Sequence, residues 1–119
     1  MSSSDSLSQA RANYSQLLEQ SLQVLIERLR ALESVARISV FGSYARGRRD
    51  LFTDLDVLVV MDTQMGFLER LRFLYSTLAL PVDVDILCYT PEEFEAMKEH
   101  GPLKGIISEE QVLYEKKPS

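Results

Sequence analysis

The chain has 119 residues, of which 45% are hydrophobic and 26% are charged, a composition typical of one globular domain. Its net charge of −5 argues against direct nucleic acid binding, because proteins that bind the phosphate backbone usually carry a basic surface. There is no apolar run of membrane-spanning length, no basic-then-apolar secretory signal, and only one cysteine, Cys88, so we expect a cytoplasmic protein with no membrane partner.

The first predicted element is a helix over residues 14–32. Apolar residues recur there at helical spacing, namely Tyr14, Leu17, Leu18, Leu22, Leu25, Ile26, Leu29 and Leu32. This stripe suits packing on the protein's own sheet, and it equally suits docking on a partner or self-association into an oligomer. The serine-rich start carries no stripe, so we expect residues 1–12 to form a frayed tail on a single domain spanning residues 1–119.

The remaining elements alternate between strands and helices. Short apolar runs predict strands over residues 35–41, 54–60 and 82–89, with a helix over residues 64–80 between the last two. The stretch TPEEFEAMKEH begins a further helix, because Thr90 can cap it, Pro91 suits its first position and Glu93 completes a capping box. A fourth strand is expected near residues 111–114. We therefore predict an α/β (α+β) fold, a small mixed sheet of three to four strands with helices packed on it.

Two carboxylates open the second strand. Asp54 and Asp56 share one strand face, about 7 Å apart at their Cα atoms, while Leu55 and Val57 point to the other. Without a cation the two carboxylates repel each other, whereas with Mg²⁺ they form a hard-oxygen metal site. The alternative is that Asp54 caps a turn and Asp56 sits on a solvated strand end.

The third predicted strand repeats the pattern with Asp83 and Asp85. If it lies beside the second strand in the same direction, one of these residues supplies a third carboxylate. Three carboxylates around two Mg²⁺ ions can activate an attacking hydroxyl and stabilise the leaving oxygen of an in-line displacement at phosphorus. The alternative is an exposed strand face without a catalytic role.

Gly42 and Ser43 leave the first strand and are followed by YARGRR. A glycine-containing turn from a strand into a helix lets backbone amides approach a phosphate. Arg46, Arg48 and Arg49 follow and can pair with further phosphates, although a tight turn whose Arg48 and Arg49 face solvent explains the same sequence. The turn is neither a P-loop nor a dinucleotide-binding turn, because the residues of those motifs are missing.

The stretch GSYARGRRDLFTDLD resembles the signature of the DNA polymerase β-type nucleotidyltransferase superfamily, in which Gly-Ser is followed after ten residues by Asp-x-Asp. More narrowly, it resembles the minimal nucleotidyltransferases, which are small prokaryotic proteins. PVDVDILCYTPEEFE is similar to their third strand and the helix that follows, so the likeness covers about residues 38–95. The resemblance implies a palm-like nucleotidyltransferase core.

The resemblance also implies roles for individual residues. Gly42 and Ser43 would hold the β- and γ-phosphates of a nucleoside triphosphate such as ATP, with Arg46 of the same turn also binding the nucleotide. Asp54 and Asp56 would bind two Mg²⁺ ions. The third acid would be Asp85 rather than Asp83, because the family's acid usually precedes a short apolar run and the Thr-Pro start of a helix. Thr53 stands where many relatives have serine.

The family further suggests a partner. Minimal nucleotidyltransferases are commonly paired with a small helical protein of the HEPN type, as antitoxin and toxin, and add AMP to that partner. The alternative reading is a nucleotide-binding module that pairs with the helical partner but turns over weakly or not at all.

Overall fold

The computed structural model describes residues 3–117, which form five helices and four strands. In chain order these are α1 (Ser3–Arg30), β1 (Val35–Phe41), α2 (Gly42–Ala45), β2 (Leu55–Met61), α3 (Phe67–Leu78), β3 (Val84–Tyr89), α4 (Pro91–Met97), α5 (Gly101–Glu109) and β4 (Gln111–Glu115). In this part of the chain, no helix has both the length and the apolar character that a membrane span requires.

Helix α1 begins earlier than the sequence suggested. Residues 3–12, expected to belong to a frayed tail, are helical, and residues 1 and 2 lie outside the described residues. Between residues 5 and 13 only Ala10 is even partly buried, so this segment shows no apolar stripe that predicts a helix. Asp5 in the first turn favours helix formation, because its negative charge complements the positive end of the helix dipole.

The apolar stripe of α1 packs on the chain's own sheet. Leu18, Leu25 and Leu29 are fully buried in the main hydrophobic core. Burying a leucine side chain contributes roughly 1.5–3 kcal/mol, so the stripe anchors the C-terminal two-thirds of α1. The stripe therefore packs inside this domain, as one of its predicted uses requires.

The four strands form one mixed sheet in the order β3-β2-β1-β4. Strand β1 is antiparallel to β2 and to β4, whereas β2 and β3 are parallel and are connected through α3. The predicted fold class and the predicted fourth strand are confirmed. Strands β2 and β3 are shorter at their starts than expected, because Asp54 and residues 82–83 precede the paired ladder.

The two faces of the sheet are covered differently. Leu55, Val57 and Val59 of β2 belong to the main core beneath α1 and α3. Leu58 and Val60 alternate with them and are buried on the other face. Helix α4 lies over that second face, where its Phe94 ring centre is 5.1 Å from the Arg37 guanidinium of β1.

The start of α4 and the end of α3 are set by residues in their own terminal turns. Thr90 and Glu93 form the predicted capping box at the start of α4, and Pro91 is the first residue of that helix. Helix α3 ends at Leu78, two residues before the predicted end at residue 80, because Ala79 adopts a left-handed conformation with φ of 42° and its amide donates to the Tyr75 carbonyl.

Arg70 of α3 is a buried charge that the sequence did not reveal. Only 7% of the residue is exposed; its Nε donates to the Met65 carbonyl at 2.8 Å, and its Nη1 donates to Glu93 at 2.7 Å. These bonds compensate the cost of burying the guanidinium and connect α3 to the capping box of α4.

Candidate active site

The candidate carboxylates lie at one end of the sheet, where β2 and β3 begin and β1 ends. Strands β2 and β3 are parallel neighbours, and their register places Asp56 directly beside Asp85. Asp54 immediately precedes β2, where the Leu55 amide donates to the Asp83 carbonyl at 3.1 Å. The antiparallel strand β1 finishes at this same end of the sheet, since its last residue, Phe41, is paired with Asp56. The fold thus brings the Gly42–Ser43 turn and the carboxylates together.

The environment of Asp56 shows which acids are its neighbours. Burial raises the pKa of the Asp56 carboxyl, the charges of Asp85 and Asp54 raise it further, and Arg46 opposes them. Asp83 contributes to the raised pKa of Tyr14 instead. The arrangement supports the choice of Asp85 over Asp83 as the third acid, whose catalytic role remains a prediction.

Gly42 is required by the geometry of this turn. Its φ is +71°, in the left-handed region that favours glycine. A Cβ atom at this position would lie 2.2 Å from Oδ2 of Asp56, far inside van der Waals contact. The absence of a side chain therefore lets the start of α2 approach the Asp56 carboxylate, with Ser43 next in the first turn. The first amides of a helix have no intrahelical acceptor.

The three arginines of this segment differ in their surroundings. Arg46 is exposed and pairs with Glu109 of α5 at 3.3 Å. Nε of Arg48 donates to Asp50 at 2.6 Å, and the Arg49 guanidinium lies 3.5 Å from the centre of the Tyr44 ring. Arg48 and Arg49 thus stabilise the loop itself. Only Arg46 lies close enough to Asp56 to affect its pKa, and its predicted contact with nucleotide remains a prediction.

Comparison with known proteins identifies the family. The model of the nucleotidyltransferase domain matches residues 22–114. The chain belongs to the nucleotidyltransferase domain family. The resemblance found in the sequence is therefore confirmed, and no curated protein matches this nucleotidyltransferase.

Solved structures share the fold of this nucleotidyltransferase at low sequence identity. A presumed nucleotidyltransferase from Sulfolobus solfataricus has a TM-score of 0.55 at 18% identity, with 92% of this chain and 87% of that chain covered. A mutant of the MntA-HpeT toxin–antitoxin has a TM-score of 0.53 at 22% identity, with 77% and 70% covered. A toxin–antitoxin with AMP-PNP also has a TM-score of 0.53, at 20% identity, with 80% and 73% covered.

The carboxylates of the nucleotidyltransferase have the donor chemistry that Mg²⁺ prefers. Within residues 3–117, no three His, Cys, Asp or Glu side chains are grouped closely enough to hold a metal ion by themselves. Protein sites for Mg²⁺ commonly use one or two carboxylates together with substrate phosphates and water. Asp56 and Asp85 provide such a pair beside the Gly42–Ser43 turn, so the residues present fit the ion.

Two tyrosines beside the site were not predicted as site residues. Tyr14 was read only as part of the apolar stripe, yet its hydroxyl donates to the Thr53 carbonyl at 2.8 Å. The Tyr75 hydroxyl accepts a hydrogen bond from the Ile86 amide at 3.0 Å. The only sequence signal was chemical and concerned Tyr14, which packs against the core, since the hydroxyl of a buried tyrosine usually has a hydrogen-bond partner. Tyr75 is 43% exposed and carried no such signal.

A cleft of about 560 Å³ lies between α1 and β4, with Tyr44 and Arg49 among its lining residues. None of the candidate carboxylates lines it. The cleft is therefore separate from the candidate carboxylates.

We expect the contribution of Asp56 to the stability of the metal-free protein to be lost as pH rises through the titration of this group. Because its folded-state pKa is raised above the ordinary value near 3.9, the folded state binds this proton more tightly than the unfolded state. The contribution of Asp56 to stability is thus complete below the unfolded pKa and is lost as pH rises through the folded pKa. Urea unfolding of the wild type and Asp56→Asn from pH 4 to pH 7 checks this. Parallel pH profiles of the two proteins would contradict it.

Proposed function

We propose that this chain transfers a nucleoside monophosphate, AMP from ATP, to a hydroxyl group on a partner protein. The observation that carries the proposal is that Asp56, Asp85 and the Gly42–Ser43 turn lie next to one another at one end of the sheet. Family membership supports the reaction class, and the fold shared with a toxin–antitoxin with AMP-PNP supports an adenine nucleotide.

Each residue has a distinct part in the proposed reaction. The Gly42–Ser43 turn binds the β- and γ-phosphates, with Arg46 exchanging Glu109 for a phosphate oxygen. Asp54, Asp56 and Asp85 hold Mg²⁺, which would neutralise the triphosphate and stabilise the leaving oxygen. Asp85, the most exposed of these three acids, accepts the proton of the attacking hydroxyl. A new bond forms between the acceptor oxygen and the α-phosphorus, and the bond to pyrophosphate breaks.

The proposed acceptor is a helical partner of the HEPN type, with this chain as the antitoxin. The fold shared with MntA-HpeT supports this proposal. A cytoplasmic pair accords with Cys88, which is the only cysteine and is buried.

The test uses purified protein, Mg²⁺ and a lysate of the source organism, with ATP labelled in parallel at the α- or the γ-phosphate. We expect a protein band labelled only from α-labelled ATP and missing with the Asp54→Asn/Asp56→Asn variant. A band labelled only from the γ-phosphate would mean phosphoryl transfer and would overturn the proposed reaction.

A second candidate is a nucleotide-binding module that pairs with a helical partner and has little or no turnover. It would use the same carboxylates and the same Gly42–Ser43 turn to hold Mg²⁺ and nucleotide, without transfer to an acceptor. The two candidates differ in a direct measurement. Both predict that Mg²⁺ with ATP raises the melting temperature and that Asp54→Asn reduces the rise, but only the enzyme labels an acceptor.

A further inference from the structure

Two tyrosine hydroxyls reach the backbone beside the candidate carboxylates. Tyr14 of α1 donates to the carbonyl of Thr53, the residue immediately before Asp54. Tyr75 of α3 accepts from the amide of Ile86, the residue immediately after Asp85. One hydrogen bond thus lies just before the start of β2 and the other on β3, on either side of the candidate carboxylates.

We propose that Tyr14 and Tyr75 are positioning residues, which hold the backbone next to Asp54 and Asp85 so that the carboxylates meet at one metal and nucleotide site. This proposal rests on the proposed function of that site. Both tyrosines belong to helices that pack on the opposite face of the sheet, so they act through the backbone and not by touching nucleotide.

Tyr14 anchors a segment that no strand pairing holds. Thr53 lies outside the ladder, because β2 begins only at Leu55. The preceding loop is organised locally by Asp50, whose carboxylate accepts from the Phe52 amide at 2.9 Å and the Thr53 hydroxyl at 3.2 Å. Phe52 is 82% exposed and adds little packing. Thr53 itself is fully buried, and the Tyr14 hydroxyl adds a directed contact that ties the turn from this loop into Asp54 to the packed body of α1.

Tyr75 stabilises a strand that has a neighbour on only one side. Strand β3 is at the edge of the sheet and pairs with β2 alone. Amides on the outer side of an edge strand have no ladder partner, and Tyr75 supplies an acceptor for the Ile86 amide. Asp85 is exposed and follows the first residue of this short strand. A fixed backbone at Ile86 thus limits the positions that the Asp85 carboxylate can take relative to Asp56.

The test measures binding of Mg²⁺ with α,β-methylene-ATP, a nucleotide that cannot transfer AMP, by calorimetry. The variants are Tyr14→Phe, Tyr75→Phe and the double variant, which keep the rings and remove only the hydroxyls. Tyr114→Phe, on the remote strand β4, is the matched control. We expect each single variant to weaken binding about three- to tenfold, the size of one net hydrogen bond, and Tyr114→Phe to leave it unchanged.

The two hydroxyls have opposite hydrogen-bonding roles, which gives a second test. A carbonyl can only accept and an amide N–H can only donate, so Tyr14 is a donor and Tyr75 an acceptor. Replacing Tyr14 by 4-aminophenylalanine restores a donor and should recover binding, whereas the same replacement of Tyr75 should not. Amide exchange at Ile86 should accelerate in Tyr75→Phe and remain slow in Tyr14→Phe.

The outcomes separate the two proposals. If the wild type binds Mg²⁺ and nucleotide while both phenylalanine variants bind equally well, the positioning role is overturned and the proposed function stands. A lower melting temperature with unchanged affinity would show that the hydroxyls serve stability alone, which also overturns it. If the wild type binds neither ion nor nucleotide, the proposed function fails, and the positioning role fails with it.

Discussion

Asp56→Asn should lower the rate of AMP transfer about a thousandfold while leaving the metal-free protein as stable as the wild type or more stable. Metal-held charges stabilise a phosphoryl transition state by several kcal/mol, and each ~1.4 kcal/mol corresponds to a factor of ten in rate. Asp56 is also partly buried beside Asp85 and Asp54, whose charges raise its pKa. Removing its charge therefore relieves repulsion in the folded state.

The measurement pairs initial rates of transfer from α-labelled ATP with the melting temperature in the presence of a chelator. Asp62→Asn is the matched control, because Asp62 is exposed and follows the far end of β2. We expect the control to change neither quantity. Near-wild-type transfer by Asp56→Asn, or a marked loss of its metal-free stability, would mean that Asp56 has a structural and not a metal-binding role.

Gly42→Ala should both destabilise the protein and abolish nucleotide binding. A side chain at φ of +71° costs roughly 1–3 kcal/mol, and relieving the close approach to the Asp56 carboxylate adds about 1–3 kcal/mol. We therefore expect a loss of about 2–6 kcal/mol in the free energy of unfolding. Any relaxation that accommodates the methyl group must displace Asp56 or the Gly42–Ser43 turn, for which we propose phosphate binding, so ATP should no longer raise the melting temperature.

Gly105→Ala in α5 is the control for this substitution. A Cβ atom there meets nothing within 4 Å, and alanine favours a helix interior over glycine by up to about 1 kcal/mol. We expect the control to unfold at the same or a higher urea concentration and to bind nucleotide normally. A Gly42→Ala protein as stable and as responsive to ATP as Gly105→Ala would remove the geometric basis of the site.

Several features could be predicted from the sequence because they depend on neighbours within a few residues. The capping box at Thr90 and Glu93 is one such feature, since both partners lie in one helical turn. The alternation along β2 is another, because a strand places Leu55 and Val57 on one face and Asp56 on the other. The spacing from Gly42–Ser43 to Asp54 and Asp56 spans more residues, but it can also be read directly along the chain. It indicated the family before any contact was known.

Other features depended on contacts between distant parts of the chain. The register between β2 and β3 placed Asp85, and not Asp83, beside Asp56. The hydroxyl of Tyr14 found its partner 39 residues away, and α1 began within a segment that has no apolar stripe.

The physical reason is the same in each case. A sequence pattern records the periodicity of one element, and it therefore determined which side chains face the same way and where helices can begin. The distance between atoms of different elements is set by strand register and helix packing, which involve the whole core. The sequence by itself thus determined the chemistry available to this protein. The tertiary structure decided which carboxylates and which glycine meet at one place, and which tyrosine hydroxyls bond to the backbone beside them.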